Sequence, residues 1–187
     1  MLYTRKGDKG NTSFFGCKQK FSKNSVLAEA LGNVDEINSF LGLCKVKSAG
    51  LKIEIQNRKI RLAEIIEKIQ ENLFIIQTEF AGAGKKITEK EVDYLEKIIG
   101  AIEKKLPPMK SFVIAGGDEL SSLFDYGRTI SRRAERKTVA FSESKKNKIN
   151  PKILAYLNRL SSALYAFARI CNLKSGVKEK SPSYDNL

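Results

Sequence analysis

The sequence predicts an all-α protein: a five-helix up-and-down bundle in one domain, with a loop arm at its N-terminus. Its 187 residues suit one domain and can bury roughly 70% of their unfolded surface. Five segments repeat apolar residues at three- and four-residue steps, the period of an amphipathic helix. No alternating strand of useful length is visible, and glycines soon follow the one β-leaning run, residues 112–114. Helix packing must therefore supply the core.

The N-terminal arm, residues 1–24, has no apolar period. Its start, Tyr3–Ser13, is rich in glycine and hydroxyl side chains, which indicates either an ordered loop or a loose tail. The adjacent aromatics Phe14 and Phe15 favour the ordered loop, because a solvated tail gains little from them. We therefore expect the arm to belong to the same domain as the helical bundle, residues 25–174.

The first two helices are predicted from their apolar stripes. We expect the first from about Ser25 to Ala49 and the second from about Gln56 to Gly82. The stripe residues are Leu31, Val34, Ile37, Leu41 and Cys44 in the first helix and Ile65, Ile66, Ile69, Leu73, Ile76 and Phe80 in the second.

Local signals mark the other helices. Thr88 and Glu91 form a capping-box pattern at the start of the third helix, which ends before the paired prolines. The fourth helix covers about 118–141. The fifth begins at Asn150–Pro151, an N-cap followed by proline at the first helical position. Residues 175–187 are rich in Lys, Ser and Pro, and we expect a flexible tail there.

Composition limits the chemistry and the location. Lys and Arg total 34 against 21 Asp and Glu, and this net charge of +13 favours anionic partners. The absence of histidine excludes Ser–His–Asp, Cys–His and imidazole–metal chemistry. Three separated cysteines indicate free thiols in a reducing cytoplasm. No apolar run reaches about 18 residues and no signal peptide is visible, so we expect a cytoplasmic protein without a membrane partner.

The fourth helix has the densest group of candidate binding residues. Arg128, Arg132 and Glu135 share one face at the edge of the apolar stripe. Guanidinium groups there suit a partly buried phosphate, because their planar fork matches its oxygens. The alternative is a solvated basic helix with intrahelical ion pairs. Asp35, beside apolar Val34, either pairs with an arginine of the fourth helix or is a carboxylate favoured by the dipole of an early turn.

Two further groups of residues could bind a nucleotide. Asn158, Ser161 and Tyr165 lie beside the core stripe of the fifth helix, where they either bind a ribose or adenine edge or make helix–helix hydrogen bonds. In the arm, glycines let main-chain N–H groups approach an anion, and lysine and hydroxyl side chains add to them. These arm residues are Thr4, Lys6, Gly7, Gly10, Thr12 and Ser13. They match neither the P-loop nor the GxGxxG pattern.

Five segments together resemble the PduO-type ATP:cob(I)alamin adenosyltransferases. They resemble, in the family's order, its YTRxGDxGxTS, GxVDELNS, FVIPGG, RTxxRRAER and YLNRLS segments. In this chain they are Tyr3–Ser13, Gly32–Ser39, Phe112–Gly117, Arg128–Arg136 and Tyr156–Ser161. The chain departs from the family pattern at Cys17, Ala115 and Ser162, where the family has glycine, proline and aspartate.

The resemblance implies a fold, a reaction and its substrates. The family folds as a ferritin-like five-helix bundle and assembles as a homotrimer with ATP between subunits. It transfers the 5′-deoxyadenosyl group of ATP to the cobalt of cob(I)alamin or another reduced corrinoid and releases triphosphate. We therefore expect ATP and cob(I)alamin as substrates, with Mg²⁺. Further partners would be a reductase and an adenosylcobalamin-dependent enzyme, and we expect no nucleic acid.

The resemblance also implies the site residues. Arg132, Asp35 and Arg128 would be catalytic, with Arg128 and Asp35 paired across the subunit boundary. The corrinoid-binding residues would be Phe112 (beneath the corrin ring), Ser161 and Tyr165. The ATP-binding residues would be Thr4, Arg5, Lys6, Gly7, Thr12, Ser13, Lys23, Arg132, Arg133, Glu135, Arg136 and Asn158. No residue is assigned to the metal.

The alternative function is a basic helical bundle that binds nucleic acid or a nucleotide without catalysis. Its phosphate contacts would come from Arg128, Arg132, Arg133 and Arg136. The sequence lacks the interleaved aromatics of a single-strand binder and a recognisable helix-turn-helix, which favours the enzyme.

Overall fold

The computed structural model describes residues 3, 5–13, 20–82, 84–109, 111–144 and 149–184. Its helices are α1 (Val26–Lys47), α2 (Leu62–Phe80), α3 (Glu89–Glu103), α4 (Glu119–Ser144) and α5 (Pro151–Lys174). Its strands are β1 (Asn11–Thr12), β2 (Phe21–Ser22), β3 (Lys52–Ile55) and β4 (Arg58–Arg61). The strands form two antiparallel pairs, β1 with β2 and β3 with β4. The predicted helical class and its five helices are confirmed.

The fifth helix is the centre of the bundle. It packs against α3 and α4, and α4 packs in turn against α1, which contacts α2. Most of α5 is buried, and Tyr156, Leu160 and Phe167 are fully inaccessible. Burying an apolar side chain of this size contributes about 1.5–3 kcal/mol. Because α4 and α5 pack closely, polar side chains at their adjoining edges lie side by side.

The segment before α2 is a β-hairpin, so the prediction that the second helix begins at about Gln56 was wrong. Ile53 and Ile55 of β3 are buried, whereas the residues that alternate with them are exposed. Gln56 and Asn57 form the two-residue turn with φ angles of 49° and 63°, a geometry that two-residue hairpins favour. The short alternation of period two was present in the sequence, and the prediction gave it too little weight. Conversely, residues 112–114 form no strand.

The predicted helix starts at Thr88 and Asn150 are confirmed. The Thr88 N–H and hydroxyl donate to Glu91 Oε2 over 2.8 and 2.7 Å, which completes the capping box. Asn150 Oδ1 accepts from the Lys152 N–H at 3.0 Å, and Pro151 opens α5. Local side-chain chemistry therefore sets both starts.

The described part of the arm is an ordered loop. The pairing of β1 with β2 joins the middle of the arm to its C-terminal end, and the Lys23 N–H donates to the Gly10 carbonyl oxygen at 2.9 Å. A turn precedes β1, where the Gly10 N–H donates to the Gly7 carbonyl oxygen at 3.1 Å. Gly10 has a φ of 77°, which favours glycine.

The chain after α5 turns back towards the loop between α3 and α4. The Val177 N–H donates to the Asn172 carbonyl oxygen, and the Ile114 N–H donates to the Lys180 carbonyl oxygen, both over 2.9 Å. Composition led us to expect a flexible tail from residue 175. Residues 177–181 instead make specific contacts, which a freely mobile tail would lack.

Candidate active site

A cleft of about 490 Å³ lies between α3, α4, α5 and the loop that joins α3 to α4. It brings together five residues that the sequence analysis assigned to catalysis or to corrinoid binding. They are Phe112, Arg128, Arg132, Ser161 and Tyr165. Most of the other lining side chains are apolar, so the cleft offers a broad apolar surface with guanidinium groups on one side. This combination suits a large ligand that has both apolar and anionic parts.

The loop between α3 and α4 presents apolar side chains to the cleft. Phe112 is 81% exposed, and Met109 in the same loop is also exposed. The Tyr165 hydroxyl donates to Met109 Sδ at 3.1 Å, which links the loop to α5. A fully exposed phenyl ring at a cleft costs solvation free energy, and a flat apolar ligand would recover it.

Arg128 and Arg132 lie one turn apart on α4 and differ in their surroundings. Arg132 is exposed, whereas Arg128 is half-buried and its Nε atom has no hydrogen-bond partner in the part of the chain that the structure describes. Asp125 lies one turn earlier and accepts a hydrogen bond from the Gly116 N–H at 3.2 Å. Burial raises the pKa of Asp125, although the Gly116 N–H and the Arg128 guanidinium oppose this shift. The Nε of Arg128 is a buried donor that has no acceptor among the described residues of the subunit.

Glu135 and Asn158 form a direct contact between α4 and α5. The Asn158 amide donates to Glu135 Oε1 at 2.9 Å, and Asn158 Oδ1 accepts from Arg159 Nη1 at 2.7 Å. Arg159 in turn donates from Nε to Glu96 Oε1 on α3 at 2.7 Å. Two of the predicted ATP-binding residues therefore lie together, held in one polar network.

Arg133 points towards α1. Its Nε donates to Asn33 Oδ1 at 3.0 Å, and its Nη2 pairs with the Glu36 carboxylate. The hydrogen bond and charge of Glu36 raise the pKa of the Arg133 guanidinium. Arg133 does not line the cleft with Arg128 and Arg132, although the sequence analysis assigned it to ATP.

The structure does not bring Asp35 to Arg128 within one subunit. Asp35 is exposed on α1, and no ion pair joins these two described residues. Arg136, also assigned to ATP, is exposed on α4. The exposed Asp35 carboxylate on α1 and the guanidinium of Arg128 on α4, whose buried Nε has no partner among the described residues, are compatible with a contact between two copies of the chain.

In the arm, Lys23 lies over the glycine turn. A Cβ atom added at Gly7 would lie 3.1 Å from Lys23 Nζ and 3.3 Å from the Asn11 carbonyl oxygen, so only glycine fits easily. Arg5 has a φ of 57°, and its Nη2 donates to the Tyr3 hydroxyl at 3.3 Å. The Lys23 ammonium group therefore lies beside the backbone of the Gly7 turn.

The described arm residues do not contribute to the cleft of their own subunit. None of the predicted ATP-binding arm residues that the structure describes lines the cleft. Those that the structure describes are Arg5, Lys6, Gly7, Thr12, Ser13 and Lys23. Thr4, which was assigned to ATP, and Cys17, where the sequence departs from the family, lie outside the described residues.

The sequence analysis missed an arginine that lines the cleft. Arg169 of α5 is 7% exposed, and its Nε lies 2.5 Å from Glu179 Oε2. Its guanidinium also lies 5.8 Å from the centre of the Tyr165 ring. A charged residue between Phe167 and Cys171 of the apolar stripe was the available signal, because an arginine at a core position requires a partner.

The described residues contain no cluster of three or more His, Cys, Asp or Glu that could hold a metal ion. Mg²⁺ therefore finds no carboxylate cage among them. Among the same residues, no helix has the length and apolar character needed to cross a bilayer.

Residues 2–171 match the family model described as Cobalamin adenosyltransferase. The chain belongs to this family. The match spans most of the chain, including all five segments on which the resemblance was based, so the predicted family is confirmed.

Individual relatives agree with this assignment. The corrinoid adenosyltransferase of Bacillus subtilis (strain 168) is 38% identical over 180 residues, which are 94% of this chain and 89% of that protein. The PduO corrinoid adenosyltransferase of Citrobacter freundii is 34% identical over 175 residues, which are 90% of this chain but 49% of that protein. A variant of the PduO-type ATP:corrinoid adenosyltransferase from Lactobacillus reuteri, solved with cobalamin and ATP, matches with a TM-score of 0.85 at 32% identity. That match covers 100% of this chain and 97% of the solved one. The cobalamin adenosyltransferase bundle is therefore the fold of this chain.

Proposed function

We propose that this protein transfers the 5′-deoxyadenosyl group of ATP to the cobalt of a reduced corrinoid such as cob(I)alamin. The products are adenosylcobalamin and triphosphate. The observation that carries the proposal is the cleft, in which the apolar ring of Phe112 and the guanidinium groups of Arg128 and Arg132 line one space. Family membership and the relatives with bound cobalamin and ATP support the same reaction.

The reaction requires no side-chain base. The electron pair of Co(I) attacks C5′ of ATP, the cobalt–carbon bond forms, and the bond from C5′ to the triphosphate oxygen breaks. The bonding electrons leave with triphosphate, so no proton has to be removed from the nucleophile. This agrees with a chain that has no histidine. The protein has to align the cobalt with C5′ and stabilise the charge that grows on the leaving group.

The predicted residues divide these tasks between two substrates. On the ATP side, the arm with Lys23 would hold the triphosphate, and Arg132 would offset its growing charge. Glu135 and Asn158, already hydrogen-bonded to each other, would contact the nucleotide. On the corrinoid side, Phe112 would exclude water and the lower axial ligand from cobalt. A four-coordinate Co(II) would then be easier to reduce to Co(I).

The proposal includes a homotrimer with ATP between subunits. Arg128 has a buried Nε without a hydrogen-bond partner among the described residues, and Asp35 of a neighbouring copy would supply one. The described residues of the arm do not line the cleft of their own chain, as expected if the arm reaches a neighbour's site. Val46 of α1 and Phe74 of α2 are 71% and 57% exposed, which suits a contact between copies.

Magnesium and the protein partners remain predictions. With no carboxylate cluster among the described residues, any Mg²⁺ would depend on phosphate oxygens for most of its ligands, and no step above uses it. The reductase, the adenosylcobalamin-dependent enzyme and the cytoplasmic location also remain predictions.

The test of the reaction is direct. The purified protein is mixed with ATP, Mg²⁺ and chemically reduced cobalamin, and the visible spectrum is followed for the cobalt–carbon product. Appearance of adenosylcobalamin together with triphosphate supports the proposal. No product, together with nucleic-acid binding that weakens steeply with salt, would instead support the non-catalytic alternative. Native mass spectrometry tests the trimer separately.

A further inference from the structure

The C-terminal tail segment, residues 177–181, supports the loop that presents Phe112. Ile114, two residues after Phe112, donates its N–H to the Lys180 carbonyl oxygen at 2.9 Å. The hydroxyl oxygens of Ser111 and Ser181 lie 2.6 Å apart. The tail segment therefore contacts the loop on both sides of Phe112, whose ring remains exposed towards the cleft.

A largely buried ion pair anchors this tail segment to α5. Glu179 Oε2 lies 2.5 Å from Arg169 Nε in a close ion pair, in which this Nε makes no aligned hydrogen bond among the described residues, and the two side chains are only 17% and 8% exposed. Glu179 Oε1 also accepts from the Asn172 amide at 3.2 Å. Separating the two side chains would leave an unpaired charge in a largely buried place. The free-energy cost of releasing the tail segment from α5 is therefore larger than for an ion pair on the surface.

The same anchor supports the other end of the loop. The Asn172 amide donates to the Gly116 carbonyl oxygen at 3.2 Å. Gly117 has a φ of 126°, and an added Cβ would lie 2.7 Å from Val177 Cγ1 and 2.8 Å from Asn172 Oδ1. Ser111, Ile114, Gly116 and Gly117 of this loop therefore each contact Asn172 or the tail segment.

We propose that Glu179 is a positioning residue for the corrinoid: through Arg169, Asn172 and the tail segment it fixes the loop that places Phe112 against the ring. The inference rests on the proposed function, because it assumes that Phe112 meets the corrinoid. None of these contacts involves a predicted ATP-binding residue. Loosening the anchor should therefore affect the corrinoid side of the reaction and leave ATP binding unchanged.

The test compares Glu179→Gln with Lys180→Gln. Lys180 lies next to Glu179 in the tail segment, its side chain is exposed, and its carbonyl contact survives the substitution. We expect Glu179→Gln to raise KM for cob(I)alamin about tenfold, within the range that small displacements cost. It should leave KM for ATP unchanged and lower the four-coordinate cob(II)alamin signal in electron paramagnetic resonance with ATP present. Lys180→Gln should match the parent protein, and Glu179→Asp should restore part of the corrinoid affinity.

A second measurement does not depend on activity. Amide hydrogen exchange of residues 111–117 in the substrate-free protein should be faster in Glu179→Gln than in Lys180→Gln. If the parent protein makes no adenosylcobalamin, the proposed function fails, while faster exchange still supports the anchor. Equal hydrogen-exchange rates of residues 111–117 in the two variants would overturn the inference. It would also be overturned if Glu179→Gln lowered Tm and weakened the binding of ATP and of the corrinoid to the same extent.

Discussion

The Nε atom of Arg133 donates to Oδ1 of Asn33 at 3.0 Å and so joins α4 to α1. Its neighbour Arg132 is exposed and lines the cleft instead. Adjacent residues of a helix point about 100° apart, so two arginines of one basic motif have different surroundings. This difference separates an arginine that lines the cleft from one whose guanidinium is hydrogen-bonded to α1.

Arg132→Ala should abolish measurable turnover, with a loss of at least about a hundredfold in kcat, and leave the helical content unchanged. The reason is that Arg132 is proposed to offset charge on the leaving triphosphate, and one such donor typically contributes about 3–4 kcal/mol to the barrier. Arg133→Ala should instead lower Tm and retain part of the activity. Steady-state kinetics and circular dichroism compare the two variants. Near-normal turnover of Arg132→Ala would contradict its assigned role.

Asp35→Asn and Arg128→Ala should each weaken activity and trimer stability. If the two side chains pair across subunits, the double variant should lose little more activity than either single variant does. A double-mutant cycle on kcat/KM, with native mass spectrometry for assembly, measures the coupling. Fully additive losses would show that the residues do not share a contact.

Phe112→Ala should impair formation of four-coordinate cob(II)alamin and its reduction, with ATP binding largely retained. The exposed ring is proposed to keep water and the lower ligand away from cobalt. Tyr184→Ala is a suitable control, because Tyr184 is an exposed aromatic outside the cleft. Calorimetry gives ATP affinity and electron paramagnetic resonance gives the cobalt species. If Phe112→Ala lost ATP affinity and four-coordinate cob(II)alamin to the same extent, the result would argue against a position of Phe112 below the corrin ring.

Lys23→Gln should raise KM for ATP roughly tenfold to a hundredfold, the range for losing one charge-assisted hydrogen bond. Its ammonium group lies against the Gly7 turn, where a triphosphate could also meet main-chain N–H groups. Exposed Lys20 offers the matched control, Lys20→Gln. An unchanged KM for ATP in Lys23→Gln would remove the arm lysine from the site.

The thiols of Cys44 and Cys171 should resist alkylation in the folded protein at about pH 8. Burial raises the pKa of each thiol from 9.0 to about 12, so the reactive thiolate is scarce. The folded state keeps both thiols protonated up to a higher pH than the unfolded state does. Their contribution to stability is thus complete below pH 9.0 and is lost between pH 9.0 and about 12. Iodoacetamide labelling of a Cys17→Ser protein, with and without urea, measures the protection. Rapid labelling without urea would contradict it.

The sequence by itself determined the helical class, the starts of α3 and α5 and the family. These properties depend on residues that are close together in the chain. Apolar residues at a period of three to four residues bury one face of a helix, and the side chains of Thr88 and Asn150 accept hydrogen bonds from backbone N–H groups of the first turn. The hairpin before α2 was partly visible in the alternation of Ile53 and Ile55. The pattern of a four-residue strand is weak beside the long apolar period that follows it, so the prediction extended the second helix back across the turn and β4.

Only the tertiary structure decided which polar residues meet. Arg133 reaches Asn33 across about one hundred positions, and Glu179 returns to Arg169 after the chain has left α5. Such contacts depend on how the helices pack and on where the tail turns back. The spacing of apolar residues along the chain predicts neither of these. For the same reason the sequence could assign Arg128 and Phe112 separately, but their place in a common cleft required the packing of α3, α4 and α5.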